Sequence, residues 1–170
     1  MPESNTQDSN LLNFAGEIEI NRRHVGAATD IEIRQLVSRI LLDHKFETGE
    51  LSVAIVDDMK MHELNLAYLR HDYTTDVLSF LLDLDPECKS LSGEVIVNAQ
   101  MAARKSQEYG HTEREELLLY IVHGTLHLVG YNDDNDTRKS EMMRLETRYL
   151  KSLGIPELAE RTSAPMRNAP

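Results

Sequence analysis

His123 and His127 stand four positions apart in the run His123-Gly124-Thr125-Leu126-His127. On a helix that spacing puts both imidazoles on one face, a turn from each other. Two rings so placed can grip one metal ion, and Gly124 keeps a side chain out of the space between them. After Gly130-Tyr131, a natural turn, come Asn132, Asp133 and Asp134, so a carboxylate returned towards the helix end offers a third ligand. Three protein ligands with one position left for water is the donor set of a catalytic zinc. Two histidines and a carboxylate also suit non-haem iron, but the helical pair favours zinc, one ion per chain. No glutamate follows His123, so the general base of the His-Glu-x-x-His peptidases is missing. Asn132, Asp134 and Asp136 alternate as calcium ligands do. Thr137, however, occupies the place of the required glycine, and Met143 that of the closing glutamate. The competing account is a histidine pair satisfied by hydrogen bonds inside the core, with Asp134 or Asp136 simply capping the next helix.

The surrounding pattern has to position this pair. Thr112-Glu113-Arg114-Glu115 has the form of a capping box. Leu117 to Val122, then Leu126, Leu128 and Val129, make a helix that is apolar on all sides and hence buried, ending at Gly130. Upstream, Phe14 to Ile20 alternates as a half-buried strand does. Asp30 can cap a helix reaching about His44. Leu51 to Val56 predicts a second strand, and Asp58 to Tyr68 a short helix. Val77 to Leu82 predicts a third strand, and Glu94 to Val97 a fourth, entered through Gly93. Asn98 to Tyr109 predicts a helix ended near Gly110, and Thr137 to Leu153 a last one. The order implies an α+β domain: a small mixed four-stranded sheet on one side, packed against about five helices, one of them the buried histidine helix. Residues 1–10 and 158–170 read as disordered tails around a single domain over 11–157.

Composition limits the alternatives. The chain has 170 residues, 41% of them hydrophobic, with no Trp and one cysteine, which suits one aliphatic core and excludes a disulfide framework. Cys88, among Asp85, Glu87 and Lys89, reads as an exposed loop residue rather than a nucleophile. No apolar run approaches the length of a membrane span, and the polar start carries no secretory pattern, so a cytoplasmic location is expected. The net charge of −11 argues against a general nucleic-acid binder. Yet from Thr137 to Lys151 five basic residues (Arg138, Lys139, Arg144, Arg148, Lys151) face only Glu141 and Glu146, and local charge can differ from the total.

The stretch from His123 to Tyr131 closely resembles the signature of the YbeY family, metal-dependent endoribonucleases of ribosomal RNA maturation. Leu64-Asn65, Tyr68, Asp72 and Thr75-Asp76-Val77-Leu78-Ser79-Phe80 resemble the family's other block, Gly93-Glu94-Val95-Ile96 its glycine-led strand, and Met142, Met143 and Glu146 its last helix. The likeness spans roughly residues 15 to 155. It implies a single-strand-specific endoribonuclease acting near the 3′ end of the small-subunit RNA, with zinc-activated water attacking a phosphodiester. It also implies ribosomal RNA and ribosomal proteins as partners. Two positions depart from the pattern. The family motif continues Gly-Tyr-Asp-His, its last histidine being the third ligand, where this chain has Asn132 and Asp133; Asp133 is the favoured replacement, since a carboxylate oxygen binds zinc at about the distance of an imidazole nitrogen, and Asp134 and Asp136 are near enough in sequence to substitute. The family's arginine after the tyrosine is Leu69 here, and Arg70, one later, is the candidate catalytic arginine. The rival reading is a non-catalytic ribosome-associated factor with a structural or absent metal.

Overall fold

The computed structural model describes residues 13–158; the tails expected over 1–10 and 158–170 lie outside the described residues, apart from Leu158, which packs against the main core. The elements are β1 (Glu17–Arg22), α1 (Asp30–Asp43), β2 (Glu50–Val56), α2 (Asp58–Leu69), β3 (Val77–Asp85), β4 (Ser90–Asn98), α3 (Ala99–Tyr109), α4 (Glu113–Leu128) and α5 (Asp136–Ser152). The strands form one mixed sheet in the order β1-β2-β4-β3. β1 and β2 pair in parallel, as do β2 and β4, while β3 and β4 form an antiparallel hairpin with a register shift between Leu81 and Asp83. The α+β class, the four strands and the five helices follow the sequence reading.

The expectation of helices on one side of the sheet is corrected. Along β2 the alternate residues Val53 and Ile55 belong to the main core, while Ala54 and Val56 join Met61, Leu78 and Ile96 in a second cluster on the opposite face. β2 is an interior strand, apolar at both parities, so both of its faces must be covered. α2 covers the second face through Met61, with Leu64 and Leu69 packed against the cluster. The hairpin strands also run further than alternation indicated. β3 continues through exposed Leu82 to Asp85, and β4 begins at Ser90, which puts Gly93 inside the strand.

Helix starts are decided by side-chain acceptors for the free N–H groups of the first turn. α4 has the expected capping box between Thr112 and Glu115. α1 carries the same device one residue earlier than Asp30: Thr29 is the cap, with Glu32 reaching back to its N–H. α5 is capped by Asn135, not by Asp134 or Asp136. Gly110, at φ 74°, ends α3 as anticipated. α4 is the central helix, packing against α1, α3, α5, β3 and β4. Every residue from Glu116 to Val122 is buried, as a helix apolar on all sides requires.

Candidate metal centre

α4 carries both histidines on one face near its C-terminus, and their rings meet edge-on, with centroids 4.6 Å apart at 79°. The helix ends immediately afterwards. Gly130 takes φ 106°, a conformation that favours glycine, and the N–H groups of Gly130 and Tyr131 bond back to the carbonyls of His127 and Leu126. This reversal carries Asp133 to the rings. Its Oδ2 lies 3.7 Å from His123 Nε2 and its Oδ1 3.8 Å from His127 Nε2. Asp134 instead pairs with Arg138, and Asp136 is the first residue of α5. Among the described residues, His123, His127 and Asp133 are the group of potential metal ligands that converges.

The other ring nitrogens determine what the two Nε2 atoms offer. His127 Nδ1 lies 2.9 Å from the Tyr131 carbonyl oxygen, which can only accept, so Nδ1 carries a proton. His123 Nδ1 lies 2.6 Å from Glu146 Oε1 on α5, and a carboxylate holds that proton in the same way. In their neutral forms both imidazoles therefore present Nε2 lone pairs, only 3.0 Å apart, with Asp133 alongside. Lone pairs at that distance repel unless a cation joins them. This donor set fits a divalent metal, with each imidazole oriented by a partner on its far nitrogen as metal-bound histidines are.

Without a metal, one proton serves the pair. Burial disfavours charge on His123, but the hydrogen bond and charge of Glu146, with the charges of Asp76 and Asp133, outweigh it and raise its proton affinity. His127 moves the opposite way, lowered by burial and then by the charge on His123. In the sequence Glu146 stands out only by its place in the last helix. Nothing local marks it as the partner of a histidine 23 residues away; the packing of α5 on α4 brings it there.

The remaining candidates sit as follows. Asp76 is half-buried, and its Oδ1 accepts bonds from the Val77 N–H and the Thr75 hydroxyl. Asp72 is exposed and bonds His62 at 2.7 Å. Ser79 donates to the Gly124 carbonyl at 2.9 Å. Arg70 is the left-handed C-cap of α2 at φ 57°. It is exposed, lies outside the ligand group, and has no acidic partner among the described residues. On α5, Arg138 pairs with Asp134 and Arg148 with Asp43. Lys139, Arg144 and Lys151 have no ion pair among the described residues. Cys88 is an exposed thiol whose pKa is raised by the neighbouring Asp85, the reverse of an activated nucleophile.

Comparison with known proteins finds relatives over most of the chain. The family described as Endoribonuclease YbeY matches residues 16–154. A protein of that name from Desulfitobacterium hafniense is 34% identical over 148 residues, covering 82% of this chain and 94% of its own. One from Halorhodospira halophila is 34% identical over 149 residues, covering 83% and 96%. A protein from Thermotoga maritima, solved in solution, superposes with a TM-score of 0.60 at 25% identity, covering 80% of this chain and 88% of that one. The chain belongs to the endoribonuclease YbeY family.

Proposed function

We propose that the chain is a metal-dependent endoribonuclease of ribosomal RNA maturation, acting in the cytoplasm on a single-stranded segment at the 3′ end of the small-subunit RNA. The observation that carries this reading is the convergence of His123 Nε2, His127 Nε2 and the Asp133 carboxylate in a chain whose relatives are named for internal RNA cleavage. Those names supply the reaction class, and the donor set supports the metal dependence. Zinc, one per chain, suits two imidazoles and a carboxylate with a position left open. When bound, it supplies an acidified water and positive charge opposite the phosphoryl oxygens.

The chain's own groups do the positioning. Glu146 and the Tyr131 carbonyl hold protons on the two Nδ1 atoms, which keeps both Nε2 lone pairs directed at one point. Of the acids in the loop before β3, Asp72 is engaged with His62 in solvent, whereas Asp76 is near enough to raise the proton affinity of His123. We assign to Asp76 the acceptance of the attacking water's proton, with Val77 N–H and Thr75 fixing the orientation of its carboxylate. Arg70, with no acidic partner among the described residues, is available to a substrate phosphate.

The rival reading is a non-catalytic ribosome-associated factor docking through α5. Lys139, Arg144 and Lys151, without ion pairs among the described residues, favour it. A structural zinc has four closed protein ligands, and the converging group here has three. The test compares cleavage of a single-stranded RNA carrying the small-subunit 3′ end by wild type and by His127→Ala, purified in parallel. Cleavage by the wild type alone, abolished by chelator and restored by zinc, is the expected outcome. Equal behaviour of the two proteins would leave the binding factor.

A further inference from the structure

Residues 70–76 join α2 to β3. The proposed reaction uses this loop only through Arg70 and Asp76, yet its middle carries an ordered pair of rings. His71 and Tyr73 stack with centroids 5.1 Å apart and planes 14° from parallel. The Tyr73 hydroxyl meets His71 Nδ1 at 3.0 Å, which locks the pair. The backbone beneath them is tied to buried groups. The carbonyl of buried Asn65 accepts the His71 N–H, and the Asn65 side-chain amide donates to the Tyr73 carbonyl at 2.8 Å. Buried Asn98 donates its side-chain amide to the Thr74 hydroxyl and the Thr75 carbonyl, both at 3.1 Å. A surface held this firmly loses little conformational freedom when it binds.

Held in place as it is, Tyr73 remains 47% exposed, and Tyr68, at the end of α2, is 66% exposed. Tyr73 belongs to neither hydrophobic core cluster. Arg70, three residues before Tyr73 at the start of the same loop, has no acidic partner among the described residues. The loop also ends at the centre. Val77, which follows Asp76 and is four residues after Tyr73, a span of at most about 14 Å, lies against Gly124 between the two histidines. Exposed rings with an unpaired guanidinium, next to a nuclease centre, are the parts with which proteins hold single strands: aromatic faces take bases, and cations take the backbone.

We infer that the His71–Tyr73 pair is a stacking platform for one unpaired base of the RNA next to the cleaved phosphodiester, with Arg70 on the flanking phosphate. This rests on the reading of the chain as an RNA-cleaving enzyme. Because His71 covers one face of Tyr73, the base takes the other. Every base has such a face, so the platform holds the strand without reading its sequence. A base already stacked within a duplex has no free face to give, so the platform also selects single strands.

The test uses the full-length, zinc-loaded chain and a mixed-sequence single-stranded phosphorothioate RNA, whose linkages resist cleavage. Kd is measured for the intact oligomer and for a series in which one nucleotide at a time is made abasic. Tyr73→Ala is expected to weaken binding of the intact oligomer about tenfold. At one abasic position the wild type should lose as much, and Tyr73→Ala should lose nothing further, the non-additivity of two groups in contact. Tyr73→Phe, which keeps the ring and removes the bond to His71, should stay within about twofold of wild type. An unchanged thermal midpoint for Tyr73→Ala separates lost stacking from lost folding. Wild-type affinity in Tyr73→Ala, or additive losses at every position, would overturn the platform. A wild type that binds but does not cleave natural RNA would remove only the cleavage reading, and one that does not bind would remove both.

Discussion

The proton on His123 Nδ1 governs what that imidazole can offer at its other nitrogen, and Glu146, at 2.6 Å, holds it there. Replacing Glu146 with Gln retains an accepting oxygen and removes the charge. Partners of this kind tune both ligand orientation and basicity, so zinc affinity in Glu146→Gln should fall about tenfold, read by competition with a chromophoric chelator. Unchanged affinity would reduce Glu146 to an interhelical contact. The same pair sets a pH dependence. Metal binding must displace the proton shared by the histidines, and the proton affinity of His123 is raised above the ordinary 6.5. Zinc affinity of the wild type is therefore full above the raised value and is lost as pH falls through it, beginning above 6.5. In Glu146→Gln the onset should move to lower pH, because a principal cause of the raised value is gone.

At the scale of elements, the centre depends on how closely α4 lies on the sheet. A Cβ at Gly124 would stand 2.7 Å from Val95 Cγ1 and 2.9 Å from both Ser79 Oγ and Val77 Cγ2. These contacts come from two strands, and Ser79 also bonds the Gly124 carbonyl, so the helix cannot retreat without loss. Overpacking costs about 1–3 kcal/mol, while exchanging Gly for Ala inside a helix gains about 1 kcal/mol. Gly124→Ala should be destabilised by the difference, lowering the thermal midpoint by about 2–4 °C per kcal/mol. It should weaken zinc binding as well, because His123 and His127 ride on the displaced turn. A raised midpoint with unaltered affinity would show that the helix has slack. The glycine between the histidines was legible as a missing side chain; that it is required by Val77, Ser79 and Val95 follows only from the strands lying beneath it.

Over the whole molecule, a net charge of −11 must coexist with a polyanionic substrate. Most described cations are neutralised by neighbouring acids, as Arg104 is by Asp58 and Arg114 by Glu32. Among the described residues Arg23, Lys45, Arg70, Lys139, Arg144 and Lys151 have no ion pair and remain for phosphates. With at most six such contacts, log K against log salt for single-stranded RNA should have a slope no steeper than about −4. A steeper slope in a salt titration would require a cationic surface beyond these residues. The sequence by itself determined the histidine pair on a buried helix, the cap at Thr112, the stops at Gly110 and Gly130, the α+β class and the resemblance to the family. Each depends on periodicity, local hydrogen bonding or motif order, which neighbouring residues contain. Tertiary structure decided that Asp133, rather than Asp134 or Asp136, meets the rings, since a turn directs successive carboxylates to different places. It also decided that Glu146 and Asp76 act on His123 and that α2 covers the far face of the sheet. These relations join residues distant in sequence, and packing alone sets their distances.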